Sequence, residues 1–217
     1  MDRTPYRPFT RRAFAGLLFA AAASASPALA QARPRVVTVL GDSITAGYGL
    51  PAREALPAKL ERELAKSVPG ARVRGAGVSG DTTAGGLARV DFSVQKDTAV
   101  CVVALGGNDL LQGLDPRQTR ANLDRIIGKL KARGITVVLA GITVPSALGR
   151  SYARDVAALY ADLARKHEVT LYPNLLAGVA GDRRLNQRDG IHPNAQGVSI
   201  IAARLAPVVA RVLAAVR

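Results

Sequence analysis

The chain has 217 residues, 48% of them apolar, which is material for one hydrophobic core and excludes a disordered chain. One cysteine, Cys101, excludes an internal disulfide, and two histidines leave no residue set for an ordinary zinc site. The formal charge of +14 invites a nucleic-acid reading, but aromatics are only 4% and no basic run after residue 30 exceeds two residues. Stacking platforms for bases are therefore scarce, and no nucleic-acid partner is expected; peripheral contact with acidic surfaces fits the charge better.

Residues 1–30 have the three-part order of an export signal. Arg3, Arg7, Arg11 and Arg12 precede an apolar stretch at 13–23, and Ala28-Leu29-Ala30 supplies small residues for cleavage after Ala30. The apolar stretch is too short to span lipid, so no stable membrane insertion is expected. Thr10-Arg11-Arg12-Ala13-Phe14 resembles the twin-arginine type of signal, although a general-pathway signal can also carry paired arginines. The reading is a signal peptide at 1–30 and one domain at 31–217, in the periplasm or secreted. Without the first thirty residues, 26 basic and 15 acidic side chains leave a net charge of +11.

Residues 36–40 (VVTVL) are a continuous β-branched run, which predicts a buried strand ending at Gly41. Leu56, Leu60 and Leu64 predict a helix over about 52–66, and 72–76 a short strand before Gly77. A segment from Thr82 to about Val90 can be helical. Residues 98–105 (TAVCVVAL) predict a second fully buried strand, with Cys101 a small core residue.

Asp115-Pro116 is a helix start, with Asp as cap and Pro in the first turn, and Leu123, Ile126, Ile127 and Leu130 form one stripe ending near Gly134. A strand at 135–142 and a helix carrying Tyr152, Val156, Leu159, Tyr160 and Leu163 follow. A short strand at 169–172 and a final helix over about 195–215 complete the pattern. Strands alternating with helices predict an α/β fold with a mostly parallel sheet, whose ligand site lies beyond the carboxyl ends of the strands.

Polar residues gather at those ends. Ser43, in Gly41-Asp42-Ser43-Ile44, follows the first strand; Gly80, in Gly77-Val78-Ser79-Gly80-Asp81, follows the second; Asn108, in Gly106-Gly107-Asn108-Asp109, follows the third. Asp189 and His192 lie three residues apart in a loop before the last helix. Ser43 and Asn108 also have a bland reading as cap or turn residues, and Asp109 as a residue bonding only its own backbone. Jointly they supply a nucleophile (Ser43), a general base (His192), its orienting carboxylate (Asp189) and oxyanion donors (Gly80, Asn108). The other histidine, His167, is read as a helix-end residue.

These blocks in this order, GDSITAGYG at 41–49, the glycine of GVSGDTT at 77–83, GGND at 106–109 and DGIHPN at 189–194, resemble the SGNH or GDSL-type hydrolase superfamily. Within it the chain looks like the periplasmic thioesterase/lysophospholipase/arylesterase subgroup. The resemblance implies a three-layer α/β/α sandwich with a five-stranded parallel sheet. It also implies a Ser43–His192–Asp189 triad and an oxyanion hole from the Ser43 N–H, Gly80 and Asn108. One departure is Ile44 where many members have leucine, a change between branched apolar side chains. The G-x-S-x-G elbow of ordinary α/β-hydrolases is absent around Ser43.

The expectation is a cofactor-free serine hydrolase of esters or thioesters, with residues 110–115 and 143–149 walling an acyl groove or, for Leu110 and Leu111, anchoring a loop. A carbohydrate deacetylase of the same superfamily and a non-catalytic lipid- or polyanion-binding module are the alternatives.

Overall fold

The computed structural model describes Met1 and residues 35–143 and 150–216. The signal-peptide and cleavage-site readings, and all but Thr143 of the groove segment at 143–149, lie outside the described residues.

Five strands form one parallel sheet: β1 (Val36–Gly41), β2 (Arg72–Gly77), β3 (Thr98–Ala104), β4 (Thr136–Ala140) and β5 (Thr170–Tyr172), in the order β2-β1-β3-β4-β5. The helices are α1 (Ser43–Ala46), α2 (Leu56–Ala65), α3 (Thr83–Ser93), α4 (Gly107–Leu111), α5 (Pro116–Ala132), α6 (Arg150–His167) and α7 (Ala195–Ala215). The period-two alternation of the strands builds the layers. Val37, Val39, Val100 and Val102 pack with α2 and α7 on one face, while Leu40, Cys101 and Val103 pack with α3, α5 and α6 on the other. This is a three-layer α/β/α sandwich, as expected. Both faces of the central strands are dry, which explains why their sequences are unbroken apolar runs.

The helices are held by the stripes read from the sequence. Leu56, Leu60 and Leu64 are fully buried, as are Leu123, Ile126, Ile127 and Leu130, each worth roughly 1.5–3 kcal/mol of transfer free energy. Asp115 caps α5 by accepting from the Arg117 N–H, and Asn194 caps α7 by accepting from Gln196 and Gly197. The helix expected over 52–66 is broken: Ala52–Glu54 is one 3-10 turn, and α2 starts at Leu56. Pro57 is the reason, because it has no N–H for the Arg53 carbonyl and its ring would crowd that carbonyl in a continuous helix.

Helix α7 is long and apolar enough to cross a membrane by length and composition alone. In this fold its apolar stripe, including Val198, Ile201, Leu205, Val209 and Leu213, is instead buried in the core shared with α2 and the sheet. Cys101 is buried too, and burial pushes its thiol up to about 12, which fits a core residue and not a nucleophile.

The chain order reverses between β1 and β3, so the crevice at their carboxyl ends is the topological switch point. Gly77 brings the end of β2 against the turn after β1. A Cβ there would lie 2.3 Å from the Ala46 nitrogen and 2.7 Å from the Asp42 oxygen, so only glycine fits.

Candidate active site

Ser43 is the first residue of α1, placed by a cap directly after β1. Asp42 accepts from the Ile44 N–H at 3.0 Å through Oδ1, fixing the turn that carries the serine. Ser43 Oγ lies 2.9 Å from His192 Nε2, and His192 Nδ1 lies 2.7 Å from Asp189 Oδ2. Three groups assigned from two distant segments thus form one hydroxyl–imidazole–carboxylate chain. Among the described residues the imidazole reaches no second hydroxyl, and Ser79, in the neighbouring turn, makes no such contact.

The carboxylate end is organised locally. Asp189 Oδ1 accepts from the backbone N–H of Ile191 at 2.9 Å and of His192 at 3.0 Å. The His192 N–H, then its ring, then the Ile191 N–H hold the carboxyl down at about 2, so Asp189 is ionised wherever an imidazole can act as base. Tyr48 packs on the imidazole with ring centroids 4.6 Å apart. Gln187 ties the two segments together, donating through Nε2 to the Tyr48 carbonyl at 2.7 Å while its N–H donates to the His192 carbonyl at 2.8 Å.

The other proposed donors lie across the crevice. Asn108, in the first turn of α4, donates from Nδ2 to the Asp81 carbonyl at 2.8 Å. An amide has two N–H groups, so the second is free to face the crevice. Gly80 precedes Asp81 in an exposed turn at φ 83°, and its N–H takes no acceptor among the described residues. Asp109, beside Asn108, is 2% exposed; it accepts from the Thr83 N–H at 2.8 Å and the Thr119 hydroxyl at 3.0 Å, and from the Thr83 hydroxyl as well. This locks α4 to α3 and α5, a fuller role than the purely local bonding considered from sequence.

A cavity of about 200 Å³ opens beside the chain, lined by Asp42, Ser43, Asn108 and His192 and by apolar Ile44, Leu110, Leu111, Ile142, Leu176 and Ile191. Gly80 is not among the lining residues. Leu110 does both things considered for it, packing against the core and facing the cavity, whereas Leu111 is largely exposed at its rim. Asp42 faces the same cavity 7% exposed, and burial raises its carboxyl from 3.8 to about 6, against the pull of the Ile44 N–H. His167 lies elsewhere, paired through Nε2 with Asp124 at 2.6 Å. Among the described residues no three His, Cys, Asp or Glu side chains converge to hold a metal ion.

Asp42, Leu176 and Gln187 were not anticipated from sequence. Asp42 was detectable as a cap residue two positions before Ile44, and the strand-end rule applied to β5 would have pointed at the loop holding Leu176. Gln187 carried no local signal, because its partners are set by the fold.

A three-layer α/β sandwich with a serine–imidazole–carboxylate chain at its switch point has the arrangement of a serine hydrolase. A family model, the GDSL-like Lipase/Acylhydrolase family, matches residues 39–200. The chain is similar to Esterase TesA of Pseudomonas aeruginosa, 39% identical over 164 residues, or 75% of this chain and 82% of that protein. It is also similar to thioesterase 1/protease 1/lysophospholipase L1 of Escherichia coli strain K12, 37% identical over 165 residues covering 76% and 78%. Among solved structures it is similar to the crystal structure of TesA, with a TM-score of 0.77 at 36% identity over 82% of this chain and 99% of that one. AlinE4, an SGNH-hydrolase family esterase, superposes with a TM-score of 0.68 at 43% identity over 82% and 95%. The chain belongs to the GDSL-like lipase/acylhydrolase family.

Proposed function

We propose that this protein is an exported serine esterase and thioesterase that works through an acyl-enzyme. The observation that carries the reading is the unbroken Ser43–His192–Asp189 chain, at 2.9 and 2.7 Å, opening on an apolar cavity. His192 Nε2 takes the hydroxyl proton as Ser43 Oγ bonds to the acyl carbon, and Asp189 holds the other ring nitrogen. The tetrahedral oxyanion is received by the Ser43 and Gly80 N–H groups and the free Asn108 N–H, each such donor being worth roughly 3 kcal/mol. Collapse breaks the C–O or C–S bond, and His192 returns the proton to the departing alcohol or thiol. Water, deprotonated by His192, then attacks the acyl-serine and releases the acid.

Relatives named esterase, thioesterase and lysophospholipase support acyl esters and thioesters as the substrate class. The cavity's apolar lining supports an acyl chain longer than acetyl, since each buried methylene adds about 0.8 kcal/mol. A panel of p-nitrophenyl esters of rising chain length tests this, run beside acetylated sugars and lysophosphatidylcholine. kcat/KM is expected to climb from acetate to mid-length chains and then level. Acetylated sugars turning over faster than any longer ester would transfer the assignment to a carbohydrate deacetylase.

The basic, apolar and small-residue order of residues 1–30 supports export with cleavage after Ala30, leaving one hydrolase domain from Gln31. Replacing Arg11 and Arg12 by lysine is expected to block export; undiminished export would remove the twin-arginine reading alone.

A further inference from the structure

Among the described residues, Arg89 is the half-buried guanidinium that touches the turns on which the proposed oxyanion donors stand. It projects from α3, and its side chain is 17% exposed. Its Nε donates to Asp81 Oδ2 at 2.6 Å, Nη1 to the Ala76 carbonyl at 2.8 Å and to Ser93 Oγ at 3.2 Å, and Nη2 to the Gly41 carbonyl at 2.8 Å. Three of these contacts lie at the site. Gly41 ends β1 two residues before Ser43, Ala76 is near the end of β2, and Asp81 follows Gly80. The Asp81 carbonyl is also the acceptor that orients the Asn108 amide, at 2.8 Å.

We propose that Arg89 is a positioning residue for the oxyanion pocket, clamping the ends of β1 and β2 to the turn that carries Gly80 and orients Asn108. This rests on the reading of Ser43, Gly80 and Asn108 as oxyanion donors. The guanidinium suits the task because it is planar and offers five donors in a fixed fork, so one side chain sets the separation of three backbone segments. An ammonium in its place has no such fork and is held by fewer acceptors at a time. The Gly80 turn is exposed and its glycine has no side chain to anchor it, so the anchor has to come from its neighbour, and Asp81 is the residue Arg89 holds.

An interaction felt by the oxyanion acts on the transition state more than on the bound ester. Arg89→Gln is therefore expected to lower kcat on a mid-length p-nitrophenyl ester about 10- to 100-fold, as for a small misplacement of catalytic groups, with KM changed less than threefold. Affinity for an alkyl boronic acid, whose serine adduct is tetrahedral, is expected to fall by a similar factor. Arg89→Lys is expected not to restore kcat, and Asp81→Asn, which keeps the carbonyl but weakens the clamp, to move kcat in the same direction. Combined with Asn108→Ala, Arg89→Gln is expected to cost less than the product of the two single losses, since both act on one pocket.

Losses that simply multiply, a change in KM without kcat, or full rescue by lysine would overturn the proposal. If Arg89→Gln does not fold, Asp81→Asn alone and with Asn108→Ala carries the same test. Ser43→Ala separates the two readings. Turnover persisting without Ser43 defeats the parent assignment, whereas an inactive Ser43→Ala beside an unimpaired Arg89→Gln defeats only the role of Arg89.

Discussion

The two sides of the crevice are built in opposite ways. The Asp189–His192 side is a short exposed loop whose carboxylate is held by N–H groups two and three residues away. The Asn108 side is non-local: Asp109 reaches Thr83 and Thr119, twenty-six and ten residues distant, and Asn122 donates to Thr83 Oγ1 at 3.2 Å. The difference follows from what each side has to do. A base that takes up and returns protons needs one orienting partner and access to water. A side-chain donor such as Asn108 must already point at empty space, and a buried, fully bonded support secures this because it does not relax around the substrate.

The sharpest break of this comparison is at the reacting pair. Ser43→Ala and His192→Ala are each expected to lower kcat by about 10⁴-fold or more, with the double variant little worse than either, because the two act as one unit. Asp189→Ala is expected to cost less, as the imidazole stays but loses its orientation. Active-site labelling by a fluorophosphonate, followed with turnover, checks this; stoichiometric labelling of Ser43→Ala at another serine with retained turnover would move the nucleophile.

Asp42 separates the sides by pH. Its carboxyl stands near 6 in the folded protein against an ordinary 3.8, so the fold binds its proton more tightly than the unfolded chain does. Its contribution to stability is therefore greatest below about 3.8 and is lost as pH rises through about 6, by roughly 3 kcal/mol in all. Asp42→Asn keeps the oxygen that caps α1 but cannot ionise. Its stability relative to the parent is expected to rise by roughly 2 kcal/mol between pH 4 and pH 8, as read by urea unfolding. A pH-independent difference would show that the buried carboxyl is stabilised in its charged form. Asp189 behaves oppositely: at about 2 it keeps its charge over that whole range.

Asn108→Ala tests the rigid side directly. Loss of one donor is expected to reduce kcat about 100-fold while KM changes little. Asp109→Ala is expected to act differently, by leaving Thr83 and Thr119 donors buried and unpaired. That costs roughly 1–3 kcal/mol of stability for each stranded group, visible as a lower urea midpoint. Equal stability in the two variants would mean that the buried network does not carry α4.

The same division governs what the sequence makes legible. Strands β1 and β3 and the stripes of α2, α5 and α7 are readable because burial repeats with a fixed period along the chain. The Asp189–His192 pair is readable because its bond spans three residues. Short α1 and α4 have too few turns to show a period, and each begins at a motif that reads equally well as a loop. The break before α2 is legible only in hindsight, since the leucine period begins at Leu56 and Pro57 marks the place. Arg89 looked like one of many scattered charges on a helix; only the sheet order brings the Gly41 and Ala76 carbonyls to one guanidinium. Similarly, Leu176 joins the cavity only because β5 lies at the edge next to β4.

The smallest effect is expected where the exposed loop is pinned to its neighbour. Gln187 donates through Nε2 to the Tyr48 and Pro193 carbonyls at 2.7 and 3.1 Å, while its own N–H reaches the His192 carbonyl. Gln187→Ala removes the side-chain bonds and leaves the backbone one. The Tyr48 carbonyl it releases lies on an exposed residue and can be hydrated, and the bond to buried Pro193 is the longer of the two, so the stability cost is expected to be about 1 kcal/mol. The imidazole would still be held by Asp189 and covered by Tyr48, and kcat is expected to fall only about three- to tenfold, far short of the loss from Asn108→Ala. Steady-state kinetics on one ester, read beside the urea midpoint of the same variant, check both parts. A loss as large as that of Asn108→Ala would mean that the local bonds of the exposed loop do not suffice, and that the His192 side too depends on distant support.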